Sequence, residues 1–225
     1  VAPILFGAFE TVPYLAQISY IGKEGLFFSY YTDHDDQALA MYSNSSSSWG
    51  ASNITYIQPV NRATGELYGK AIDIISNPFI NASWIGEAVN VSSGFASSLG
   101  TRWGNDGDLL FLNSARVTRR GVISLGFSAK AITDFVTRID QQQGTRSYLA
   151  TKEGKVLVEG IQQTHLVISN DTVSFQSVNA NNGDHTSNNE GTVSCKDEGV
   201  ASSLNIRDTQ YLIHCYTIDI MGIQS

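Results

Sequence analysis

The chain has no apolar run as long as the roughly 18–20 residues a bilayer-spanning helix needs. It also has no basic stripe. Fourteen Lys and Arg stand against twenty-one Asp and Glu, for a net charge of -7, so counterion release from a nucleic-acid backbone has little to work with and no nucleic-acid partner is expected. No signal peptide opens the sequence, and Val1-Ala2-Pro3 reads as a cut inside a longer protein, which leaves membrane attachment to flanking segments. The glycine-rich phosphate loops G-x-G-x-x-G and G-x-x-x-x-G-K-[ST] are absent, as is the G-x-S-x-G nucleophile elbow. No catalytic constellation and no cofactor are expected.

What is present is a folding chain. Of its 225 residues, 42% are hydrophobic and 16% charged, values of a globular protein able to bury a core. The length admits one large domain or two small ones.

Cysteine is scarce: Cys195 and Cys215 are either buried thiols or a bridge. Five N-x-Ser/Thr sites, at Asn44, Asn53, Asn81, Asn90 and Asn170, together with few lysines and many Ser and Asn, favour the secretory pathway and hence the bridge. Closing a loop of about 20 residues, it would contribute on the order of 3 kcal/mol.

A short pattern occurs twice. In "SYIGKEGLFFSY" two apolar runs flank Lys23-Glu24-Gly25, and "YLATKEGKVLVEG" repeats the arrangement around Lys152-Glu153-Gly154. Each reads as a hairpin whose glycine supplies a positive backbone angle. Between the copies, Gly121 to Phe127 reads as a buried strand and Ser128 as the N-cap of a helix. The helix carries Ile132, Phe135, Val136 and Ile139 in one stripe, and it ends near Gly144.

Other segments are read more coarsely. "NITYIQPVN", "DLLFLNSARVT", "THLVISN", "TVSFQSV" and "QYLIHCYTIDI" read as strands, and "FINASWIGEAVNV" as a short helix. "YTDHDDQALAMYSNSSSSW" reads as carrying the chain out of the first hairpin into a long Ser-rich connection, and Asn179 to Gly191 as a polar loop. Asp33-His34-Asp35-Asp36 offers metal-ligand atoms, but four adjacent residues do not converge on one ion, so a solvated turn is expected. "GNDGD" at Gly104 to Asp108 lacks the spacing of a calcium loop and is expected to be a plain turn.

Four stretches, "GLFFSYY" (25–31), "QPVNRATGELYGK" (58–70), "GVISLGFSAKAITDFV" (121–136) and "HCYTIDIMGI" (214–223), occur in the same order as in the extracytoplasmic sensor region of plant hybrid histidine kinases, which the chain resembles over most of its length. The resemblance implies an α+β double Cache fold: two tandem Cache/PAS-like antiparallel-sheet domains joined by a connecting helix, with a long N-terminal helix largely absent from this fragment. Its domains would be a membrane-distal one at 1–127, the connecting helix at 128–143 and a membrane-proximal one at 144–225. The two hairpins would be equivalent central strands of the two domains.

Functionally, the resemblance implies the input module of a membrane receptor in a plant two-component phosphorelay that signals without cytokinin. Such a module lies on the extracellular or endoplasmic-reticulum-lumen side and forms a homodimer in the intact receptor. It carries no kinase chemistry of its own: none of His34, His165, His185 and His214 has the helical setting of a phosphoacceptor. A small-molecule ligand of the Cache kind would lie in the distal domain, where Tyr30, Tyr31, Tyr56, Trp84, Trp103 and Asp106 are the candidates by position. Tyr30 and Tyr31 must face opposite sides of their strand. Three rivals stand beside this reading: a ligand-free dimerisation spacer of the same receptor, its pocket filled by side chains; a secreted glycoprotein binding carbohydrate or protein; and, weakest for want of a nucleophile and base at recognisable spacing, a secreted hydrolase.

Overall fold

The structure is a computed structural model that describes residues 2–22, 26–33, 35–43, 55–74, 83–103, 105–117, 120–178, 187–220 and 223–224. The chain divides into two compact units, Val1–Lys130 and Ala131–Ser225.

The first unit begins with α1 (Ala2–Thr11) and continues through β1 (Leu15–Gly22), β2 (Phe27–Thr32), β3 (Ala38–Ser43), β4 (Thr55–Pro59) and β5 (Ile72–Ile74). Then come α2 (Ser83–Asn90), β6 (Phe95–Arg102), β7 (Asn105–Val117) and β8 (Gly121–Ser128). All eight strands form one antiparallel sheet in the order β5-β4-β3-β2-β1-β8-β7-β6. The first and last strands of the unit therefore pair at its centre, with Leu15 opposite Phe127. Both faces are covered. Leu5 and Phe9 of α1 join Ile18, Tyr30 and Ala40 on one face, while Ala88 of α2 joins Phe27, Tyr31, Met41, Leu110 and Leu112 on the other. A strand buried on two sides needs apolar residues in succession, not in alternation, which is why "LFFSYY" reads as a continuous run.

The helix expected after β8, α3 (Lys130–Gln143), starts as expected. The Lys130 amide donates to Ser128 Oγ at 3.3 Å, as an N-cap requires. Gly144, at φ +69, closes the helix in the left-handed region. The expected stripe is only partly realised: Ile132, Val136 and Ile139 are half-buried, but Phe135 is 56% exposed.

The second unit contains β9 (Leu149–Ala150), β10 (Val156–Val158), β11 (Thr164–Ser169), β12 (Thr172–Val178), β13 (Ser187–Ser194), β14 (Ser202–Ile206), β15 (Thr209–Ile213), β16 (Asp219–Ile220) and β17 (Ile223–Gln224). They form four small sheets: β10-β9, β11-β12-β13, β14-β15 and β16-β17. Phe175, Val193 and Ile206 make its core, with Tyr148, Leu166 and Tyr211 packed against them.

Several expectations are corrected here. The two Lys-Glu-Gly hairpins are not equivalent. The first, whose turn residues Lys23, Glu24 and Gly25 lie outside the described residues, joins the central strands β1 and β2 of the large sheet. The second joins β9 and β10 in a two-stranded ribbon of its own. Its Gly154 does sit at φ +89, as the turn requires. "ALAMYS" is not connection but β3, and β6 arises where no strand was expected. Asn105–Asp108 opens β7 instead of forming a turn. Of the polar stretch expected as a loop, 179–186 lie outside the described residues and Ser187 to Gly191 belong to β13, and the strand expected through His214 ends at Ile213. Asp33 does hold a turn, its Oδ1 accepting the amides of Asp35 at 2.9 Å and Gln37 at 2.8 Å. His34 and Gly104 lie outside the described residues.

Candidate functional site

The face of the first sheet that α2 covers is built from large residues around a strip of small ones. Ser29, Ser19, Ser124 and Ser114 stand opposite one another on β2, β1, β8 and β7, and all four are buried. Ser19 and Ser29 are 0% exposed with their hydroxyls 2.8 Å apart, and the Ser114 hydroxyl donates to Ser124 Oγ at 2.9 Å. Ser19, Ser29 and Ser124 each interrupt an apolar run in the sequence, and that interruption is the signal by which the row could have been found.

Trp103 follows the end of β6 and lies over this strip. Its indole Nε1–H donates to Ser19 Oγ and Ser29 Oγ, both at 3.1 Å, and its backbone amide donates to Oε1 of the buried Gln17 at 3.0 Å. The ring meets Phe27 edge-on, with centroids 5.8 Å apart. Beside it Arg102 donates to the carbonyls of Thr32 (3.2 Å) and Asp33 (2.9 Å), so the tip of the β6–β7 hairpin is fixed both to the strip and to the end of β2. Tyr31 is buried in the same cluster. Burial, helped by the nearby Asp33 carboxylate, pushes its phenol up to about 12.

The six positional candidates therefore separate. Tyr31 and Trp103 share one face, with Gln17, Ser19 and Ser29, which the sequence reading missed. Tyr30 belongs to the opposite face, packed edge-on to Phe6 at 5.4 Å and stacked on Phe9 at 6.0 Å. Tyr56 stacks on Tyr42 at 5.5 Å, and Tyr42 in turn on Phe28, which borders the same cluster as Tyr30. The side chains of Trp84, on α2, and Asp106, on β7, lie outside the described residues.

In the second unit Cys195 and Cys215 form the expected disulfide. Around it the Cys195 amide donates to Asp171 O at 2.7 Å and the Gly199 amide to Cys215 O at 2.9 Å. Asn90 ends α2 and Asn170 occupies the turn between β11 and β12 at φ +51; both are exposed. Asn44, Asn53, Asn81 and His185 lie outside the described residues. Among the described residues no helix is long and apolar enough to cross a membrane.

No known protein-family profile matches the chain. Histidine kinase CKI1 of Arabidopsis thaliana is 29% identical to it over 230 aligned residues, which cover 99% of this chain and 19% of that protein. Probable histidine kinase 2 of Oryza sativa, in both the indica and japonica subspecies, is 30% identical over 141 residues, covering 61% of this chain and 12% of the rice protein. The chain thus spans about a fifth or less of the length of the curated relatives it matches. Over nearly all of its own length it is similar in sequence to a segment of histidine kinase CKI1 of Arabidopsis thaliana, and over 61% of it to a segment of the rice proteins.

Proposed function

We propose that the chain is the extracytoplasmic input module of a membrane-bound histidine kinase in a plant phosphorelay, of double Cache type and without catalysis of its own. The observation that carries this reading is the sequence relation to histidine kinase CKI1, which runs across both units in one alignment. The element order supports it: a helix, a large antiparallel sheet, a second helix and a smaller strand-built unit. The disulfide suits an oxidising compartment. Against equivalence of the two halves stands the second unit's division into four small sheets, so the double Cache assignment rests on order and not on matching sheets.

Exchange of this segment for the matching one of the Arabidopsis kinase tests the role. Phosphorelay output is expected to persist in the chimera, and loss of output at normal protein level counts against it. The compartment is tested through Asn170, whose turn is exposed: the intact protein is expected to shift on endoglycosidase treatment, with a smaller shift in Asn170→Gln. Migration unaffected by the enzyme would put the segment on the other side of the membrane. No cytokinin binding is expected, and a calorimetric titration showing micromolar affinity would reverse that.

A second reading, the ligand-free spacer, has an observation of its own. Trp103 occupies the serine strip of the first sheet, its indole N–H donating to Ser19 Oγ and Ser29 Oγ and its backbone amide to Gln17 Oε1.

A further inference from the structure

The eight-stranded sheet has two edges, and they are not alike. β5 is three residues long and includes Asp73, and both shortness and charge keep an edge from pairing. β6 lacks such protection. From Phe95 to Thr101 it carries no charge and no proline, and its register with β7 shifts only between Thr101 and Arg102. The direction of its backbone groups follows from its neighbour. The Arg116 amide donates to Gly94 O at 2.7 Å, and the Ala129 amide to Leu109 O at 3.0 Å. In an antiparallel ladder, residues bonded to a neighbour alternate with residues that turn both groups away from it. The even-numbered residues of β7 therefore face β6, and the odd-numbered ones face β8. Ala96, Ser98 and Gly100 are bonded to β7, which turns the N–H and C=O of Phe95, Ser97, Leu99 and Thr101 outward.

At Phe95 the Ser93 hydroxyl takes up both outward groups, accepting the amide at 3.3 Å and donating to the carbonyl at 3.0 Å. Among the described residues no such bond meets the outward groups of Ser97, Leu99 and Thr101. The open stretch is thus centred on Leu99, and it is its own complement. With a second copy set antiparallel about a two-fold axis at Leu99, each Leu99 lies opposite the other, and Ser97 of either chain lies opposite Thr101 of the other. Every outward N–H then meets a C=O, and no like charges are brought together. Sliding the pair by two residues instead sets Thr101 against Phe95, whose groups Ser93 already holds, and leaves Thr101 unmatched.

We propose that β6 is a self-association edge: two copies of the chain pair β6 with β6, antiparallel and two-fold symmetric about Leu99, into one sheet that continues through both first units. Such pairing joins backbone to backbone and needs no groove or pocket. It gives the homodimer of the sensor reading a surface and rests on that reading for its biological meaning. The geometry belongs to the first unit alone, so a failed chimera leaves the edge standing.

The test uses the full 225-residue chain, whose two cysteines are bridged to each other, so an introduced cysteine is its single free thiol. With oxidised glutathione as oxidant, Leu99→Cys is expected to give a covalent dimer, because the residue meets itself across the axis. Ser97→Cys and Thr101→Cys are each expected to give none alone, since each lies farther from its own copy than the roughly 7 Å a disulfide spans, and to link when mixed. In sedimentation equilibrium wild type is expected to dimerise reversibly. Leu99→Lys and Leu99→Glu are each expected to dimerise at least about tenfold more weakly, and an equimolar mixture of the two to recover the loss. Should the charged variants fail to unfold cooperatively, the conservative cysteine variants decide alone. The proposal is overturned if wild type stays monomeric, whatever else docks at the edge, or if Leu99→Cys links no better than Ser97→Cys. It is overturned equally if folded Leu99→Lys and Leu99→Glu dimerise as wild type does, a result that moves the dimer to another surface and leaves the sensor reading standing.

Discussion

Asp140 is a buried residue whose carboxylate is saturated with donors. Its Oδ1 accepts the hydroxyls of Thr145 at 2.9 Å and Ser147 at 2.5 Å, and its Oδ2 accepts the Ser147 amide. Burial alone would raise its pKa; the bonds from Ser147 and Thr145, with the Arg146 charge, outweigh that and hold the carboxyl below its ordinary value. A folded pKa below the unfolded one contributes stability that is present above the unfolded value and lost as pH falls through the folded one. Asp140→Ala is therefore expected to cost about 1–3 kcal/mol at pH 7, with the gap to wild type narrowing below pH 4 in urea titrations. Equal gaps at pH 7 and pH 3 would remove the carboxylate from this role. Tyr31 has the opposite sign. With its phenol raised to about 12, its neutral form stabilises the fold fully below the ordinary value of 10.0, and the contribution is lost as pH climbs through about 12. Tyr31→Phe is expected to flatten the fall in stability above pH 10, read from denaturant midpoints; an unchanged slope would place the alkaline transition elsewhere. Neither residue's setting was legible beforehand, because Asp140 sits among polar neighbours in the sequence and its burial depends on the chain folding back at Ser147. Tyr31 and Trp103 were found as bulky aromatics, but Ser19 and Ser29 were not, since a serine in a strand reads as a residue facing water.

Among the elements, those with local punctuation were legible. The run from β8 through the Ser128 cap to α3 and Gly144 carries its own start and stop signals, and the structure follows them. The strands β3, β6 and β13 carry none: "ALAMYS", "FASSLGTR" and "SNNEGTVS" are poor in β-branched and aromatic residues, and they are strands because a neighbouring strand offers each a ladder. Turn chemistry can also run against preference. Between β14 and β15, Arg207 and Asp208 sit at φ +47 and +63, a pair of positive angles that favours Asn-Gly. Arg207 has compensation, since its guanidinium donates to the carbonyls of Gln162 at 3.3 Å and Gln163 at 2.6 Å. Among the described residues no such bond is seen at Asp208, so Asp208→Gly is expected to stabilise the second unit by about 0.5–1 kcal/mol. Chemical denaturation checks this; a destabilised variant would mean that the aspartate side chain holds the hairpin.

At the scale of the whole molecule the two units differ in how they are held. The first has one sheet of eight strands with a helix on each face, so its stability comes from burial. The second has small sheets, its main apolar cluster among the described residues is built on Phe175, Val193 and Ile206, and the chain after β15 is tied back by Cys195–Cys215. A small core leaves a cross-link proportionally more to do. The bridged cysteines stand 20 residues apart, a loop for which restriction of the unfolded chain is worth about 3 kcal/mol. Reduction, or Cys195→Ser with Cys215→Ser, is therefore expected to lower the unfolding transition of the second unit by several degrees and to leave that of the first in place. Calorimetry assigns the transitions if hydrogen exchange is followed at Ile18 and Phe111 for the first unit and at Phe175 and Val193 for the second. If protection at all four residues fell together on reduction, the two units would be one cooperative body and the division at Lys130 would have no thermodynamic meaning.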